Sequence, residues 1–245
     1  MNPDGRIPVI CLDPSAGSAF DIFNPNDWRG ASRGLVQSCA TEFAVLQYCA
    51  NRIETICASA KAQCSRHFEG LQKQWQGVPW DLTKFAYFGQ LPELHVLIEG
   101  FFTGLKSLLD LNAQLISTEG TVDVALDGFH RAKGVYGGVV INALENNVKK
   151  GKELVAAALR SLVTSHKKLW IDDAINSRDL LVHPMRGAQQ LMFEIRVESH
   201  DGSLVYLDAL PPRVGERTIG HYAADQISNL RDLSTSLLQE LRKSA

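Results

Sequence analysis

Four polar residues near the end of one predicted helix are of types that can cleave RNA. Arg178, Asp179 and His183 lie in the segment WIDDAINSRDLLVHP, and Asn176 is a second polar neighbour there. Histidine exchanges protons near neutral pH, so His183 could take the proton of a ribose 2′-hydroxyl. The planar charged fork of Arg178 suits phosphate oxygens and their growing charge. Asp179 could orient the imidazole, with Asn176 in support, and this chemistry needs no metal and no cofactor.

On a helix from Trp170 to His183, these residues fall on two stripes. The polar stripe contains Asp172, Asn176, Asp179 and His183, and the apolar stripe contains Ile171, Ile175 and Val182. Arg178 lies within the apolar stripe, where it must be paired, reach solvent or face another subunit. No carboxylate lies three or four positions from it, so we expect its partner to come from elsewhere in the fold. A structural interpretation is also open, because a histidine before Pro184 suits an ordinary helix end.

Arg178 and His183 do not share one helix face. Five residues along a helix turn through about 500°, which leaves the two side chains about 140° apart. A single histidine also cannot easily serve as both base and acid. Both difficulties ease if two copies of the helix meet across a twofold axis and pool their arginines and histidines. The sequence therefore predicts a homodimer with this helix at its centre.

The segment RDLLVHP resembles the signature of the HEPN superfamily: arginine, a polar residue, three further residues and histidine. Arg178, Asp179 and His183 match it position by position, whereas the looser pair Arg160 and His166 lacks the polar second residue. The resemblance implies a helical bundle and a metal-independent endoribonuclease of a prokaryotic defence or toxin–antitoxin system, for which an antitoxin protein could be a partner. It equally covers members without activity that bind RNA, a nucleotide or a protein. An unrelated helical protein remains a third interpretation.

A basic segment leads into this motif. The segment from Arg131 to Lys168 contains eight basic and two acidic residues. Its local charge is therefore +6, in a chain whose net charge is −2. Such a segment could bind phosphate, and Lys167 and Lys168 at its end are the predicted RNA-binding residues. A solvated, lysine-rich helix face would give the same composition.

The hydrophobic periodicity predicts an all-α, up-and-down helical bundle with one inserted β-hairpin near the C-terminus. A long helix is expected from Ala31 to about Gln74, with a break near Gly70 or earlier. The hairpin, at about residues 190–210, is indicated by alternating apolar residues and an Asp201-Gly202 turn. Residues 1–30 are rich in Pro, Asp, Asn and Gly and predict an irregular N-terminal arm, and residues 31–245 form one helical domain.

The composition is that of an ordinary globular protein, with 45% hydrophobic and 21% charged residues. Five cysteines without a CxxC pair favour reduced thiols and a cytoplasmic location. Cys57, Cys64 and His67 share a helix face, but zinc usually takes closely paired cysteines, so buried cysteines are favoured over a metal site. The N-terminus lacks the apolar run of a signal peptide, and no stretch approaches the ~20 apolar residues of a membrane span, so no membrane partner is expected.

Overall fold

The structure is a computed structural model, and it describes residues 17–74, 92–182, 193–200 and 203–243. The predicted all-α bundle with one β-hairpin near the C-terminus is confirmed. The elements in chain order are α1 (Gly17–Ile22), a 3-10 turn (Pro25–Asp27), α2 (Gly30–Gln74), α3 (Pro92–Thr118), α4 (Gly138–Asn146), α5 (Glu153–His166), a π turn (Lys167–Ile171), α6 (Asp172–Val182), β1 (Glu194–His200), β2 (Ser203–Leu210), β3 (Arg213–Val214), β4 (Arg217–Thr218) and α7 (Ile219–Arg242). No helix in these ranges is long and apolar enough to cross a membrane.

Helices α2 and α3 pack as an antiparallel pair. Near the start of α3, Glu93 accepts a hydrogen bond from Arg52 of α2, with 2.9 Å between Nε and Oε1. Further along α3, Gly104 lies against an earlier part of α2, where an added Cβ would be 3.1 Å from Leu46 Cδ2 and closer still to Glu42. The glycine therefore permits a close approach of the two helix backbones at this crossing.

Helix α2 runs without interruption for 45 residues, so the expected break near Gly70 or earlier is absent. Its second half extends towards the β-hairpin, where Lys61 Nζ lies 3.0 Å from Asp208 Oδ2 of β2. Phe68 near its C-terminal end is fully buried. Tertiary packing of this kind supplies most of the stability of a helix in a protein, which explains why the glycine alone does not end it.

The last helix, α7, lies in the middle of the bundle and contacts α2, α3 and α5. Tyr222 of α7 packs on Phe102 of α3 with ring centroids 5.8 Å apart, and both side chains are fully buried. Burying a side chain such as Phe102 stabilises the fold by about 2–3 kcal/mol. A buried hydrogen bond of 3.1 Å from Asn112 Nδ2 to Ser234 Oγ joins the same two helices.

The predicted irregular arm is partly wrong, because its second half contains α1 and a 3-10 turn. Phe23 is fully buried, Trp28 is 6% exposed, and both belong to the main hydrophobic core. Arg242 at the end of α7 fixes this segment, with Nη2 2.7 Å from Asp27 Oδ2. Burial of these large rings stabilises the folded segment by more than the preference of Pro and Asn for irregular turns opposes it. Residues 1–16 of the arm lie outside the described residues.

A π turn, Lys167–Ile171, joins α5 directly to α6, so the motif helix begins earlier than Trp170. The wider turn places two successive side chains in the core, Trp170 at 3% and Ile171 at 0% exposure, and leaves Leu169 exposed. Ile175, one turn further on, is also buried, as its predicted place on the apolar stripe requires. Short π segments are rare and frequently occur at functional sites.

The hairpin lies between α6 and α7. Strands β1 and β2 pair antiparallel from Glu194 opposite Leu210 to His200 opposite Ser203, with a register shift between Arg196 and Val197. The predicted Asp201-Gly202 turn lies outside the described residues.

The π turn contains a pH-sensitive contact. Trp170 Nε1 donates a hydrogen bond of 2.9 Å to His166 Nδ1. Burial lowers the pKa of His166 below its ordinary value, and Asp232 partly opposes this shift. The unfolded chain therefore takes up this proton at a higher pH than the folded chain, so the stability present above the ordinary histidine pKa is lost as the pH falls.

We expect wild type to lose more free energy of unfolding than the His166→Gln variant when the pH falls from about 7.5 to about 5. Glutamine keeps a hydrogen-bond acceptor but does not titrate. Urea unfolding at both pH values measures the difference, with the exposed His95 on α3 replaced by glutamine as the control. Equal losses in wild type and His166→Gln would show that this proton does not destabilise the fold.

Candidate functional site

The predicted site residues lie at the end of α6. The side chains of Arg178 and Asp179 are 24% and 20% exposed, and Asn176 is exposed beside them. His183 follows the last residue of α6 and lies outside the described residues. The structure therefore gives the geometry of Arg178 and Asp179, while the role of His183 rests on the sequence.

The ion-pair partner of Arg178 is its neighbour in sequence, not a residue from elsewhere in the fold as expected. Arg178 Nη1 lies 3.0 Å from Asp179 Oδ1. Adjacent side chains normally diverge on a helix, so this pair forms because both side chains turn towards the same space. The Nε of Arg178 is buried and meets no hydrogen-bond partner among the described residues. Leaving such a donor unsatisfied costs about 1–3 kcal/mol, a cost that the pairing with Asp179 does not remove.

A second arginine reaches the same carboxylate from a distant part of the chain. Arg131 Nη2 lies 3.2 Å from Asp179 Oδ2, and the Arg131 side chain is 49% exposed. Two guanidinium groups thus share one carboxylate, which leaves a local charge of +1 in the Arg131–Asp179–Arg178 cluster. In the sequence Arg131 is recognisable only as the start of the basic segment, since no local pattern links it to a residue 48 positions away.

The loop that carries Arg131 is fixed to α3 and to itself. Asp110 of α3 accepts a hydrogen bond of 2.6 Å from the backbone N–H of Phe129 and also pairs with Lys106. Beyond Arg131, Ala132 and Val135 exchange two backbone hydrogen bonds of 3.0 and 2.9 Å. The two residues between them have positive φ, 51° and 81°, as in a type I′ turn. The position of Arg131 is therefore set by a short, hydrogen-bonded loop.

Tyr136 lies beside this cluster. Its ring packs under the guanidinium of Arg131, with 5.9 Å from Cζ to the centroid. Burial raises the pKa of the Tyr136 phenol above its ordinary value, and the charges of Asp110 and Asp179 add to the rise. The phenol is therefore protonated at neutral pH. Its hydroxyl is buried and, like Arg178 Nε, meets no partner in the described ranges.

Lys167 and Arg160 of the basic segment form ion pairs with carboxylates of the same chain. The side chain of Lys167, a predicted RNA-binding residue, is 15% exposed and pairs with Asp172. Its role in RNA binding stays a prediction. Arg160 pairs with Glu145 at 2.9 Å. Lys168, the other predicted RNA-binding residue, is exposed on the π turn. These ion pairs arise because the turn from α5 to α6 and the packing of α4 on α5 place carboxylates beside the basic residues.

The cysteines that raised the question of a metal site are buried on α2. Cys57 is 7% exposed and Cys64 is 2% exposed. Burial raises the pKa of Cys57 to about 11, with Glu54 adding to the rise, and burial also raises the pKa of Cys64. A protonated thiol is a poor metal ligand. Within the described ranges, no three His, Cys, Asp or Glu side chains come together as a metal site would require.

Asp179 is expected to contribute more to the free energy of unfolding than Asp173, a more exposed aspartate on the same helix. The Asp179→Ala variant leaves two arginines without their carboxylate, and we expect it to lower the free energy of unfolding by about 2 kcal/mol. Asp173 also binds an arginine, Arg217, but is 54% exposed, and Arg217 keeps a second partner in Asp225. Asp173→Ala should therefore cost about 0.5 kcal/mol or less. Equal costs in urea unfolding of the two variants would contradict a special role for Asp179.

No family model, no curated protein and no solved structure matches this chain.

Proposed function

We propose that the protein is a metal-independent endoribonuclease of the HEPN type, acting on single-stranded or looped RNA in a prokaryotic defence or toxin–antitoxin system. His183 takes the proton of the attacking 2′-hydroxyl, and Arg178 stabilises the charge that develops on the phosphate. Arg131 adds a second cation for the substrate backbone, and Lys168 offers an exposed charge on the same continuous helix. RNA is the substrate, the setting is the cytoplasm, and an antitoxin protein is the natural partner of such an enzyme.

The observation that carries this proposal is the sharing of Asp179 by two arginines. A fold needs one cation to neutralise one carboxylate, and here there are two, at 3.0 and 3.2 Å. One of them retains a buried donor that meets no hydrogen-bond partner among the residues that the structure describes. An excess cation held in a fixed geometry suits an anion that arrives from outside, and a phosphate can accept from both forks. The cluster ends four residues before His183 in the chain.

The test is cleavage of a labelled single-stranded RNA in the presence of EDTA by wild type, Arg178→Ala and His183→Ala. We expect cleavage by wild type and its loss in both variants. Arg160→Ala is the matched control, because Arg160 belongs to the same basic segment but pairs with Glu145 of α4 rather than with Asp179. Wild-type cleavage rates in both site variants would refute the assignment of Arg178 and His183.

The homodimer remains part of the proposal, with α6 of each chain beside the twofold axis. Because Arg178 has a partner within its own chain, the dimer is not needed to neutralise it. Its purpose would be to bring the two copies of His183 into one cleft. Light scattering at micromolar concentration on the active preparation tests this, and a fully active monomer would exclude the dimer as a requirement.

A second candidate is a non-catalytic HEPN-like module that binds RNA, a nucleotide or a partner protein. One observation favours it: each oxygen of Asp179 already accepts from an arginine, whereas the predicted role of Asp179 was to orient His183. Under this alternative, wild type binds the labelled RNA with a strong salt dependence, Arg178→Ala weakens binding, and no product appears.

A further inference from the structure

A polar cleft lies apart from the arginine cluster, where the π turn, α6, β4 and α7 meet. Its volume is about 340 Å³, the size of a small-ligand site. None of the three residues of the Arg131–Asp179–Arg178 cluster lines it, so the cleft is separate from the proposed ribonuclease site. The lining residues with groups suited to binding are Leu169, Asp173, Arg217, Asp225, Gln226 and Asn229.

The amide of Gln226 in this cleft has an unused donor. The side chain is fully buried. Its Oε1 accepts a hydrogen bond of 3.4 Å from Asn229 Nδ2, whereas its Nε2 meets no hydrogen-bond partner among the described residues. Buried polar groups in native proteins nearly always have a partner, because an unsatisfied donor destabilises the fold. The amide therefore indicates a ligand that brings an acceptor into the cleft.

Arg217 is fixed in the cleft by three contacts. Its Nη2 lies 3.0 Å from Asp173 Oδ2, and its Nη1 lies 3.3 Å from Asp225 Oδ2. Its Cζ lies 4.6 Å from the centroid of the Tyr222 ring, which is fully buried. One guanidinium and two carboxylates give the cleft a net charge of −1. The carboxylates are half-exposed, so they can accept further hydrogen bonds from a ligand.

Asp225 is the better placed of the two carboxylates to bind a ligand. Its contact with Arg217 is the longer one, and it directly precedes Gln226 on α7. Asp173 also interacts with Tyr222, since burial raises the pKa of that phenol and the charge of Asp173 adds to the rise. Asp225 and Gln226 thus offer an acceptor and a donor from adjacent positions of one helix.

The chemistry of the cleft selects a ligand with both donors and an acceptor. Phosphates and carboxylates only accept hydrogen bonds, and the net negative charge repels them. Amines and guanidinium compounds only donate, so they leave Gln226 Nε2 without an acceptor. Guanine presents both kinds of group on one edge, since its N1–H and 2-amino donors adjoin the O6 acceptor. Its flat ring also suits the exposed apolar side chain of Leu169 on the π turn.

We propose that this cleft binds a guanine base, either of a free nucleoside or within RNA. The carboxylate of Asp225 accepts from N1–H and the 2-amino group, and Gln226 Nε2 donates to O6. Leu169 packs against the ring. Arg217 is a positioning residue that holds the two carboxylates in place. Binding of the base needs neither Arg178 nor His183, so this inference does not rest on the proposed function.

The ligand is tested by isothermal titration calorimetry of the full chain with three nucleosides. Inosine lacks the 2-amino group, and we expect it to bind about tenfold more weakly than guanosine. Adenosine lacks the N1–H and places an amino group where guanine has O6, so we expect about 100-fold weaker binding. Equal affinities for guanosine and adenosine, or no heat of binding with guanosine at about 1 mM, would overturn the proposal.

Two variants test the position of the base. Asp225→Asn and Gln226→Met should each weaken guanosine binding about tenfold or more, because each removes one side of the hydrogen-bonded edge. Glu240→Gln is the control, since it changes a carboxylate on the same helix that pairs with Lys243 and does not line the cleft. Wild-type affinity in both cleft variants would overturn the assignment.

Stability separates binding from a structural role of Gln226. Gln226→Met keeps the length of the side chain and removes the buried unsatisfied donor, so its urea midpoint should equal or exceed that of wild type. A clearly lower midpoint would show that the amide serves the fold, and it would overturn the role in binding.

Two short RNAs with 2′-O-methyl groups, which block attack by the 2′-oxygen, identify the source of the base. If UUGUU binds more tightly than both UUAUU and guanosine, the ligand is guanine within RNA. If guanosine binds more tightly than UUGUU, the ligand is the free nucleoside. Both results support the cleft as a guanine site, whereas equal binding of the two RNAs without guanosine binding overturns it. Failure of wild type to cleave RNA would remove the proposed function and leave these binding results unchanged.

Discussion

Replacing Arg178 by alanine is expected to lower the rate of RNA cleavage about 100- to 1,000-fold, the usual effect of removing one group that stabilises developing charge. Arg178→Lys should recover little of this rate, because an ammonium group cannot bind two phosphate oxygens with a planar fork. Initial rates in EDTA, measured with saturating and with limiting RNA, separate the change in kcat from the change in KM. A larger fall in kcat than rise in KM would place the effect in the transition state.

The same variant should leave the fold almost unchanged. Arg131 continues to neutralise Asp179 at 3.2 Å, and the variant removes the buried Nε, which meets no partner within the described part of the chain. We therefore expect the free energy of unfolding of Arg178→Ala to lie within about 1 kcal/mol of wild type. A large loss of stability together with normal cleavage by the folded fraction would mean that Arg178 serves the fold rather than the reaction.

The second large effect concerns the loop that positions Arg131. Gly137 has a φ of 69°, and an added Cβ would lie 2.2 Å from Cε1 of Phe129. In Gly137→Ala, the alanine would have to adopt a left-handed backbone conformation, and its Cβ would displace the buried Phe129 ring. We expect a loss of about 3 kcal/mol in the free energy of unfolding, measured by urea denaturation. RNA cleavage should fall as well, because Phe129 and its hydrogen bond to Asp110 hold the loop in place.

Gly134 provides the matched control in the same loop. Its φ of 81° is also positive, but nothing lies within 4 Å of an added Cβ. Gly134→Ala therefore isolates the backbone cost, about 1 kcal/mol. Equal losses in Gly134→Ala and Gly137→Ala would show that contact with Phe129 does not constrain the loop.

Most of the fold could be predicted from the sequence, because the local periodicity of apolar residues indicates the helices and the hairpin. The N-terminal segment and the π turn are exceptions. The N-terminal segment was misjudged because its turn-forming residues are local signals, whereas burial of Phe23 and Trp28 depends on where α2 and α7 lie. The π turn was missed because one extra residue in a helix leaves little trace in a pattern of apolar spacings.

The candidate site was only half predictable. The motif identified Arg178 and Asp179, but their pairing was overlooked because neighbours on a helix usually diverge. Arg131 was beyond the reach of a motif, since it approaches α6 through a loop fixed to Asp110 of α3. The pairing of Lys167 with Asp172 could not be predicted, because Asp172 meets it only across the π turn. Long-range pairing of this kind is decided by tertiary structure.

The most direct test of the ribonuclease proposal compares an RNA with the same sequence carrying a single 2′-deoxyribose at the cleaved position, both in EDTA. The proposal predicts that wild type cleaves the RNA to a 2′,3′-cyclic phosphate and a 5′-hydroxyl, and that the single deoxyribose blocks cleavage there. It would be contradicted by intact RNA after prolonged incubation with folded wild type, or by equal cleavage of both substrates.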